Sequence, residues 1–423
     1  MRVLLLSVNT EVINMPTLPL GLACVAASAR HSGHEVGMVD LRPGDDVRRV
    51  LQKAARGVRP EVIGISVRNI DNQDRNSPKL LLDPVREIVA LSRKTCAAKV
   101  VLGGAGYSLF PEKALSYLGA DMGIQGEGEI SFPLLLDRLS QGGDPAGVPG
   151  LFLPGKGLQG TRLFCRSLDC LSLPEPDLWP LPEKMDDLWM PVQSRRGCPL
   201  RCSYCSTETI EGRLLRRRSP EIFVESIARW RRAGVDKFFF VDNTFNIPPE
   251  YAKEICRRLI ERDLKIKWWS ILYPSAADPD LIALMARSGC EQVSVGFESG
   301  SERMLKRMNK RFTPEDVRRA CRVLEDHGIR RMGFLLLGGP GETRESVEES
   351  LFYADSLDLD NLKITVGIRI YPYTALAETA ILEGVLAMGD DLLLPRFYLS
   401  RDLEDWLPRR VREALSSHRN WTM

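Results

Sequence analysis

Short apolar segments alternate with helix-like stretches along most of this chain of 423 residues, and this alternation limits the folds that it can adopt. The segments with strand character in the first 145 residues are Arg2 to Val8, Glu35 to Asp40, Val62 to Val67, Lys99 to Leu102 and Met122 to Ile124. Between them, Leu20 to Ser32, Val47 to Arg56 and Pro84 to Arg93 have helical patterns. Strands separated by helices pair in parallel through right-handed crossovers. Residues 1–145 therefore predict a doubly wound, Rossmann-like α/β domain.

The alternation resumes after residue 190 with longer units. The predicted strands are Val192 to Ser194, Lys237 to Val241, Lys267 to Leu272, Gln292 to Phe297, Met332 to Leu337 and Leu362 to Ile370. This succession predicts a partial (β/α)6 barrel of the TIM type over residues 191–370, with its chemistry at the carboxyl ends of the strands. Residues 146–190 are rich in Pro and Gly and predict a linker. Residues 371–423 predict a short helical C-terminal region.

Composition excludes several classes of protein. The 58 Lys and Arg residues nearly balance 56 Asp and Glu residues, and a formal charge of +2 argues against binding to nucleic acid or an anionic membrane. No apolar run approaches the roughly 18 residues that span a bilayer. The N-terminal apolar run meets Asn9 and Glu11 too soon for a secretory signal. We therefore expect a cytoplasmic protein, and we expect it to be a monomer.

Three of the ten cysteines, Cys198, Cys202 and Cys205, are clustered. Cysteines in a reducing compartment are free thiols or metal ligands. Thiolates with this spacing can hold one iron–sulfur cluster and leave one iron without a protein ligand. A structural zinc site is the alternative, but it needs four ligands, and no second Cys or His pair follows. The spacing favours the iron–sulfur cluster, and the scattered cysteines fit small buried positions.

The stretch Cys198-Pro-Leu-Arg-Cys202-Ser-Tyr204-Cys205 resembles the CxxxCxΦC signature of the radical S-adenosylmethionine (SAM) superfamily at every position. The resemblance implies a [4Fe-4S] cluster whose open iron binds SAM and whose electron cleaves it to methionine and a 5′-deoxyadenosyl radical. Later turns resemble the SAM-binding segments of the superfamily, although an ordinary βα turn is the alternative for each. The SAM-binding residues that the resemblance implies are Tyr204, Asp242, Asn243, Ser270, Glu298 and Gly338.

Residues 1–145 resemble the cobalamin-binding domain that is fused to many radical SAM enzymes. The resemblance rests on Pro19-Leu20-Gly21-Leu22-Ala23, on Gly103-Gly104-Ala105-Gly106 and on Gly126-Glu127-Gly128-Glu129. Small residues at strand ends would let the backbone approach a flat corrin. The cobalamin-binding residues that it implies are Asn9, Leu18, Gly21, Ser66, Arg68, Gly103, Gly104, Gly126 and Glu127.

One feature of cobalamin carriers is missing from the chain. Their DxHxxG motif supplies a histidine to cobalt, whereas Asp40-Leu41-Arg42-Pro43-Gly44 has Arg42 at the histidine position. We therefore expect no histidine ligand from the protein on cobalt. Arg68 is the candidate for the lower face of the corrin, and a salt bridge from Arg68 to Asp71 or Asp74 is the alternative.

The two resemblances together imply a cobalamin-dependent radical SAM C-methyltransferase, which methylates an unactivated carbon through methylcobalamin and a 5′-deoxyadenosyl radical. The alternative is an enzyme that uses the same cofactors for a rearrangement or cyclisation of a small molecule without methyl transfer. Radical SAM methylthiotransferases fit less well, because they carry three cysteines in the N-terminal domain, where this chain has only Cys24 and Cys96.

The substrate and the electron donor are less constrained by the sequence. A barrel of six units is open at one side, which favours a protein side chain, as in the glutamine C-methyltransferases of methanogens, over a small molecule. Tyr371 and Tyr373 are the candidates for contact with the substrate, and no catalytic residue is predicted. The resemblance implies a reducing partner of the flavodoxin or ferredoxin type. The basic run from Arg213 to Arg218 is either a solvated face or a binding site for such a donor or another anionic group.

Overall fold

The computed structural model describes residues 1–9, 18–179 and 188–423. It divides the chain into two compact units. The first unit consists of Met1–Asn72, Lys79–Trp189 and Thr209–Gly212, and the second of Gln73–Pro78, Met190–Glu208 and Arg213–Met423. None of the helices in the described ranges has the length and apolar character needed to cross a bilayer.

The first unit alternates strands and helices as the sequence predicts. Its elements are β1 (Arg2–Ser7), α1 (Leu20–His31), β2 (Glu35–Asp40), α2 (Val47–Val58), β3 (Val62–Ser66), α3 (Leu82–Thr95), β4 (Lys99–Gly103), α4 (Ala105–Leu109), α5 (Pro111–Leu118), β5 (Met122–Ile124), α6 (Gly128–Ser140), β6 (Leu151–Leu153) and β7 (Gly157–Leu158).

The sheet of this unit has the order β2-β1-β3-β4-β5-β6-β7, and β1 to β5 are parallel. Val3 and Leu5 of β1 pack with α1 and α6 in one apolar cluster. Because side chains alternate along a strand, Leu4 faces the opposite layer, where its Cδ1 and the Val58 side chain of α2 both lie near Gly37. Helices on both faces confirm the predicted doubly wound domain.

Part of the predicted linker is built into this sheet. Strands β6 and β7 form a hairpin that pairs antiparallel with β5. Two-residue and three-residue strands leave too little periodicity to be recognised in a Pro-rich and Gly-rich sequence. Residues 180–187 of the same segment lie outside the described residues.

The second unit contains the longer βα succession and the C-terminal region. Its elements are β8 (Met190–Val192), β9 (Arg195–Arg196), β10 (Arg216–Arg217), α8 (Pro220–Arg232), β11 (Lys237–Phe240), α9 (Pro249–Glu261), β12 (Lys267–Leu272), α10 (Pro279–Arg287), β13 (Cys290–Glu298), α11 (Glu302–Arg307), α12 (Pro314–Asp326), β14 (Arg330–Leu337), α13 (Arg344–Asp355), β15 (Asn361–Val366), β16 (Ile368–Arg369), α14 (Ala375–Leu382), β17 (Phe397–Tyr398), α15 (Leu407–Ser417) and β18 (Trp421–Thr422). Helix α7 (Thr207–Glu211), most of which belongs to the first unit, follows β9 in the chain.

The main sheet of the second unit holds the six predicted strands side by side in chain order, as β8-β11-β12-β13-β14-β15. All of these neighbours pair in parallel, which confirms the partial barrel. The C-terminal region holds helices α14 and α15, as predicted, but β18 pairs in parallel with β15 and adds a seventh strand that the sequence did not indicate. The predicted open side is therefore one strand narrower.

Aromatic packing and helix caps fix these elements. Phe240 of β11 stacks on Trp268 of β12 with ring centroids 4.5 Å apart, and Phe223 of α8 meets Phe240 edge-on at 5.2 Å. Fully burying such a side chain contributes about 1.5–3 kcal/mol. Helix α12 begins at the predicted Pro314, because Thr313 and Asp316 bond each other's backbone N–H in a capping box.

Candidate active site

The three clustered cysteines lie in the loop that follows β9. Strand β9 comes shortly after β8, the first strand in the main sheet of the second unit. Gly197 enters the loop with φ of 89°, a backbone conformation that side chains disfavour. All three thiols are half-buried, and the Cys205 N–H donates to the Cys202 carbonyl at 3.1 Å. The sequence-predicted thiols therefore share one compact loop.

Three hydrogen bonds from distant parts of the second unit hold this loop. The N–H of Ser203 donates to the Met308 carbonyl at 3.0 Å, and the Ser203 carbonyl accepts from the Leu376 N–H at 2.8 Å. The amide of Asn309 donates to the Arg201 carbonyl at 2.6 Å. The loop is thus anchored to other parts of the second unit by hydrogen bonds.

A buried cation lies beside the cysteine loop. The side chain of Lys310 is 6% exposed, and its Nζ lies 3.1 Å from Glu298 Oε1 and 5.3 Å from the centre of the Tyr204 ring. Burial lowers the pKa of Lys310, but the neighbouring Glu298, Tyr204 and Cys202 outweigh it, so that the pKa stands well above its ordinary value. Burial raises the pKa of the Cys202 thiol, and the Lys310 ammonium acts in the opposite direction. Lys310 therefore favours negative charge at Cys202.

The donor set fits a multi-iron cluster. No group of three or more His, Cys, Asp or Glu residues in the described ranges could hold a single metal ion. A four-iron cluster takes each cysteine on a different iron and does not need such convergence. Three thiols in one anchored loop, with a cation against one of them, are suited to hold it.

Ser270 and Glu298, two of the residues predicted to bind SAM, have side-chain oxygens that could contact a polar ligand. Ser270 in β12 is fully buried, and its hydroxyl has no hydrogen-bond partner among the described residues. Glu298 ends β13 with φ of 62°, and its Oε1 is bonded to Lys310. Because buried polar groups are nearly always hydrogen-bonded, the orphaned hydroxyl of Ser270 fits a site that takes a polar ligand.

Asp242, another predicted SAM contact, is bonded within the protein. It is fully buried, and its carboxylate accepts from the Ser194 N–H at 2.8 Å, the Ser194 hydroxyl at 2.5 Å and the Arg195 N–H at 3.1 Å. Burial raises its pKa, and Arg195 opposes this. These bonds tie the end of β11 to the end of β8, so the carboxylate supports the start of the cysteine loop, and its contact with SAM stays a prediction. Half-buried Asn243 remains the candidate in this segment.

Gly338 also makes its polar contacts within the protein. Its N–H donates to the Glu342 carboxylate, and its carbonyl accepts from the Ser400 N–H at 3.0 Å. At φ of 98°, a Cβ would lie 2.3 Å from Leu399 Cδ1. The chain path requires this glycine, and its predicted contact with SAM stays a prediction.

Glu342 is a buried carboxylate that the sequence did not single out. Its Oε2 accepts from the N–H groups of Gly338 and Gly339, while Oε1 has no hydrogen-bond partner among the described residues. Burial raises its pKa to about 7, and the two glycine N–H groups act against this shift. The turn after β14 is thus closed by an acid that is half-protonated near neutral pH.

The first unit brings several predicted cobalamin residues to one end of its sheet. Strands β1 and β3 flank the position where the strand order reverses, and ligands bind doubly wound sheets at the carboxyl ends of such strands. Asn9, after β1, accepts a hydrogen bond from Asn69, after β3, at 3.0 Å. The rest of the first turn, Thr10 to Thr17, lies outside the described residues.

Arg68 follows β3 at this position. Its side chain is exposed, and the described residues form no ion pair with it, so the alternative of a salt bridge to Asp71 or Asp74 is not found. Desolvation by the surrounding protein lowers the pKa of the guanidinium from 12.5, and an arginine still carries its charge at neutral pH. A cation at the switch point that forms no ion pair with a described residue fits a ligand site.

The glycines after β4 pack against the Arg68 segment. At Gly104, with φ of 101°, a Cβ would lie 2.6 Å from the Val67 carbonyl oxygen, and at Gly106 it would lie 2.8 Å from that of Arg68. The close approach is therefore to the neighbouring turn of the protein. Gly103 and Gly21 differ, because among the described residues a Cβ at Gly103 would meet only one atom, at 3.9 Å, and a Cβ at Gly21 would meet nothing within 4 Å.

The remaining predicted cobalamin residues are held mainly by protein contacts. Gly126 donates its N–H to the Ser108 hydroxyl at 2.9 Å. Glu127 Oε2 accepts from the Cys165 N–H at 2.7 Å, which directs one carboxylate oxygen to the protein. Leu18 is buried, and Ser66 is half-buried at the end of β3.

The remaining residues that the sequence singled out are Arg42, the basic run and the two predicted substrate tyrosines. Arg42 is exposed after β2, and its N–H bonds Asp45 at 2.7 Å. In the basic run, Arg216 and Arg218 are buried, so the run is not a uniformly solvated face. Tyr371 is buried with the Arg369 guanidinium 5.0 Å from its ring, whereas Tyr373 is 88% exposed. These two tyrosines therefore do not form one side-chain cluster.

Comparison with known proteins identifies both halves of the chain. Residues 192–354 match the radical SAM superfamily, and residues 6–136 match the B12 binding domain. An uncharacterized methyltransferase of Pyrococcus horikoshii is 29% identical over 398 residues, which cover 91% of this chain and 84% of the relative. A tryptophan 2-C-methyltransferase of Streptomyces laurentii is 24% identical over 441 residues, which cover 88% of this chain and 73% of the relative.

A solved structure shares the fold. TsrM from Kitasatospora setae, a radical SAM methyltransferase solved with tryptophan and a SAM analogue, matches with a TM-score of 0.87 at 24% identity, covering 100% of this chain and 91% of that one. Another structure of TsrM holds cobalamin and a [4Fe-4S] cluster.

The chain belongs to the cobalamin-dependent radical SAM enzymes, and its cofactors are a [4Fe-4S] cluster, SAM and cobalamin. Within that class it is a methyltransferase that acts on an unactivated carbon, as predicted, and the non-methylating alternative is not favoured.

Proposed function

We propose that this methyltransferase acts on a small molecule, and that tryptophan is the first compound to test. The carrying observation is that the second unit has an anchored cysteine loop and a buried Ser270 hydroxyl with no partner among the described residues, while the first unit has Arg68 at the switch point of its sheet. The relative from Streptomyces laurentii is named for tryptophan. Strand β18 narrows the open side on which the preference for a protein substrate was based. These observations support a small substrate over a protein side chain.

Each half of the reaction has its own residues. Cys198, Cys202 and Cys205 would hold the cluster, and Ser270 and Glu298 would bind polar groups of SAM. When bound, cobalamin supplies the methyl group that is transferred, and the cluster supplies an electron to SAM. The protein binds and orients these partners, since proximity accounts for much of the acceleration in such reactions.

We assign Arg68 to the lower face of the corrin. A guanidinium cannot coordinate cobalt, and cobalt without a strong lower ligand releases a methyl group more readily. Electron paramagnetic resonance of the Co(II) form should therefore show no superhyperfine splitting from a protein nitrogen. The Arg68→His variant provides the contrast, because a histidine there should introduce such splitting and slow methyl transfer. Nitrogen splitting in the unmodified protein would contradict the assignment.

The chemistry of the cluster also bears on the electron donor and on the location of the enzyme in the cell. An electron must reach the cluster from a low-potential donor, for which we propose a protein of the flavodoxin or ferredoxin type. We also propose that the enzyme is a monomer in the cytoplasm, where a reducing environment protects the cluster. Light scattering would test the monomer, and reduction of the cluster by purified donors, followed spectroscopically, would test the donor.

The central test is product analysis under anaerobic conditions. The reconstituted enzyme with cobalamin, reductant, SAM and tryptophan should form methylated product together with S-adenosylhomocysteine and 5′-deoxyadenosine. S-adenosylhomocysteine without 5′-deoxyadenosine would refute the radical step, and 5′-deoxyadenosine alone would refute methyl transfer. No methylation of tryptophan, with methylation of a protein in an extract, would refute the small substrate.

Replacing Cys198, Cys202 and Cys205 with Ala together tests the cluster assignment. The triple variant should lose iron and sulfide and should not cleave SAM, while its cobalamin absorption spectrum persists. The matched control is Cys96→Ser, which removes a half-buried thiol from the first unit and should leave iron content unchanged. Retained SAM cleavage in the triple variant would overturn the assignment.

A further inference from the structure

Two cysteines that belong to neither cofactor site lie side by side in the first unit. Cys165 precedes the short 3₁₀ turn Leu168–Cys170, Cys170 ends that turn, and their Sγ atoms are 3.1 Å apart. Both thiols point at the Ser167 carbonyl oxygen, at 3.0 Å from Cys165 and 2.9 Å from Cys170. A disulfide bond is about 2.05 Å long, so the sulfurs need to approach by only about 1 Å to form one.

The two thiols have unequal access to solvent. Cys165 is 7% exposed and packs in an apolar cluster with Leu168, Leu171 and Ile130. Cys170 is exposed, and it is the one exposed member of the ten cysteines. A reagent from solution therefore reaches Cys170 first, while Cys165 stands behind it.

The backbone N–H of Cys165 holds this residue in place through a bond to a buried carboxylate. Its N–H donates to Glu127 Oε2 at 2.7 Å, and Glu127 is itself buried. Burial and the neighbouring Cys170 raise the pKa of the Cys165 thiol to about 11, so it stays protonated and unreactive at neutral pH until a partner sulfur is activated next to it. Such an arrangement favours a ring-closing step over attack by a second external thiol.

We propose that Cys165 and Cys170 form a thiol oxidation site, which a small disulfide such as glutathione disulfide converts to an intramolecular disulfide. The Cys170 thiolate attacks one sulfur of the oxidant, which forms a mixed disulfide and releases one glutathione. Cys165 then attacks the Cys170 sulfur, and its proton goes to the departing thiolate as the second glutathione leaves. Two protein thiols are oxidised and one glutathione disulfide is reduced to two thiols, so the step needs no metal.

The test uses the full-length holoenzyme, in which the cluster occupies Cys198, Cys202 and Cys205. After anaerobic treatment with glutathione disulfide, remaining thiols are alkylated and the protein is digested with trypsin without reduction. Trypsin separates the pair into Leu163–Arg166 and Ser167–Lys184. The disulfide should appear as these two peptides joined, two hydrogens lighter than their sum, and dithiothreitol should release them.

Matched variants distinguish the two steps. Cys170→Ser should abolish the joined peptides, and Cys165→Ser should instead accumulate glutathione on Cys170. Cys96→Ser should leave the joined peptides at the wild-type level. The proposal is overturned if the wild type keeps both thiols alkylated, or if it stops at the mixed disulfide on Cys170. Because the readout is a peptide mass, failure of methyl transfer or of cobalamin binding would not affect it.

Discussion

Replacing Glu342 with Gln should stabilise the second unit above neutral pH. The pKa of this buried acid is about 7 in the folded chain against an ordinary value of 4.5, so the folded state binds a proton that the unfolded state has released between these values. Stability is therefore lost as the pH rises through this window. At about 1.4 kcal/mol for each pH unit the loss reaches about 3 kcal/mol by pH 8 and is below about 1 kcal/mol at pH 5. Gln keeps the shape of the neutral acid and should avoid this loss.

Urea unfolding followed by tryptophan fluorescence measures this effect. Five of the seven tryptophans (Trp230, Trp268, Trp269, Trp406 and Trp421) lie in the second unit, so the signal reports mainly on its unfolding. The difference between variant and wild type should grow by about 2 kcal/mol from pH 5 to pH 8.

The matched control for this prediction is Glu345→Gln at the start of α13. The pKa of exposed Glu345 is lowered by a backbone N–H bond and by the Thr343 hydroxyl, so this substitution should have the opposite sign at pH 8. A destabilised Glu342→Gln at pH 8, or a difference that does not change with pH, would refute the reasoning.

Three further substitutions test the supporting residues. Arg195→Ala should cost about 3–5 kcal/mol in urea unfolding and lower iron content, because it leaves the Asp242 charge buried without its partner 3.6 Å away; a change below 1 kcal/mol would contradict this. Lys310→Met removes a cation beside Cys202, so it should make the midpoint potential of the cluster more negative by about 59 mV, equivalent to about 1.4 kcal/mol. Lys310→Arg should largely restore the potential in an electron paramagnetic resonance titration. An unchanged potential in the Met variant would argue against an electrostatic effect of Lys310 on the cluster. Arg68→Ala should weaken cobalamin binding about tenfold in equilibrium dialysis without loss of iron, and unchanged affinity would exclude a contact.

The elements of the fold were accessible from the sequence because their signals are local. Periodicity located β1 to β5 in the first sheet, and β8 and β11 to β15 in the second, within a few residues, and the run of alternating elements required parallel sheets with their loops at one end. The hairpin of β6 and β7 and the final strand β18 were not predicted. Strands of two or three residues form because a neighbouring strand completes their hydrogen bonds. Their own sequence is therefore too short to predict them, since they depend on the sequence of the neighbouring strand.

Some site residues could be predicted from the local sequence, whereas others depend on residues that are distant in the sequence. The cysteine spacing is a local property, and it placed three thiols in one loop. The role of Asp242 depends on Ser194, 48 residues away, and the position of Lys310 depends on the short helix α11, which returns the chain to the end of β13. Asn309 and Lys310 follow that helix directly, so a search of the residues that return to a strand end after Glu298 could have found them.

The anchoring of the cysteine loop by Met308, Asn309 and Leu376 bears on how the enzyme survives exposure to air. Oxygen strips iron from exposed clusters, and a loop that owed its shape to the metal would collapse when the metal left. Here the backbone of Ser203 is bonded on both sides by protein groups, so we expect a stripped enzyme to keep its three thiols in an ordered loop. Damage would then be confined to the inorganic part, and iron and sulfide could be loaded again into the same folded polypeptide.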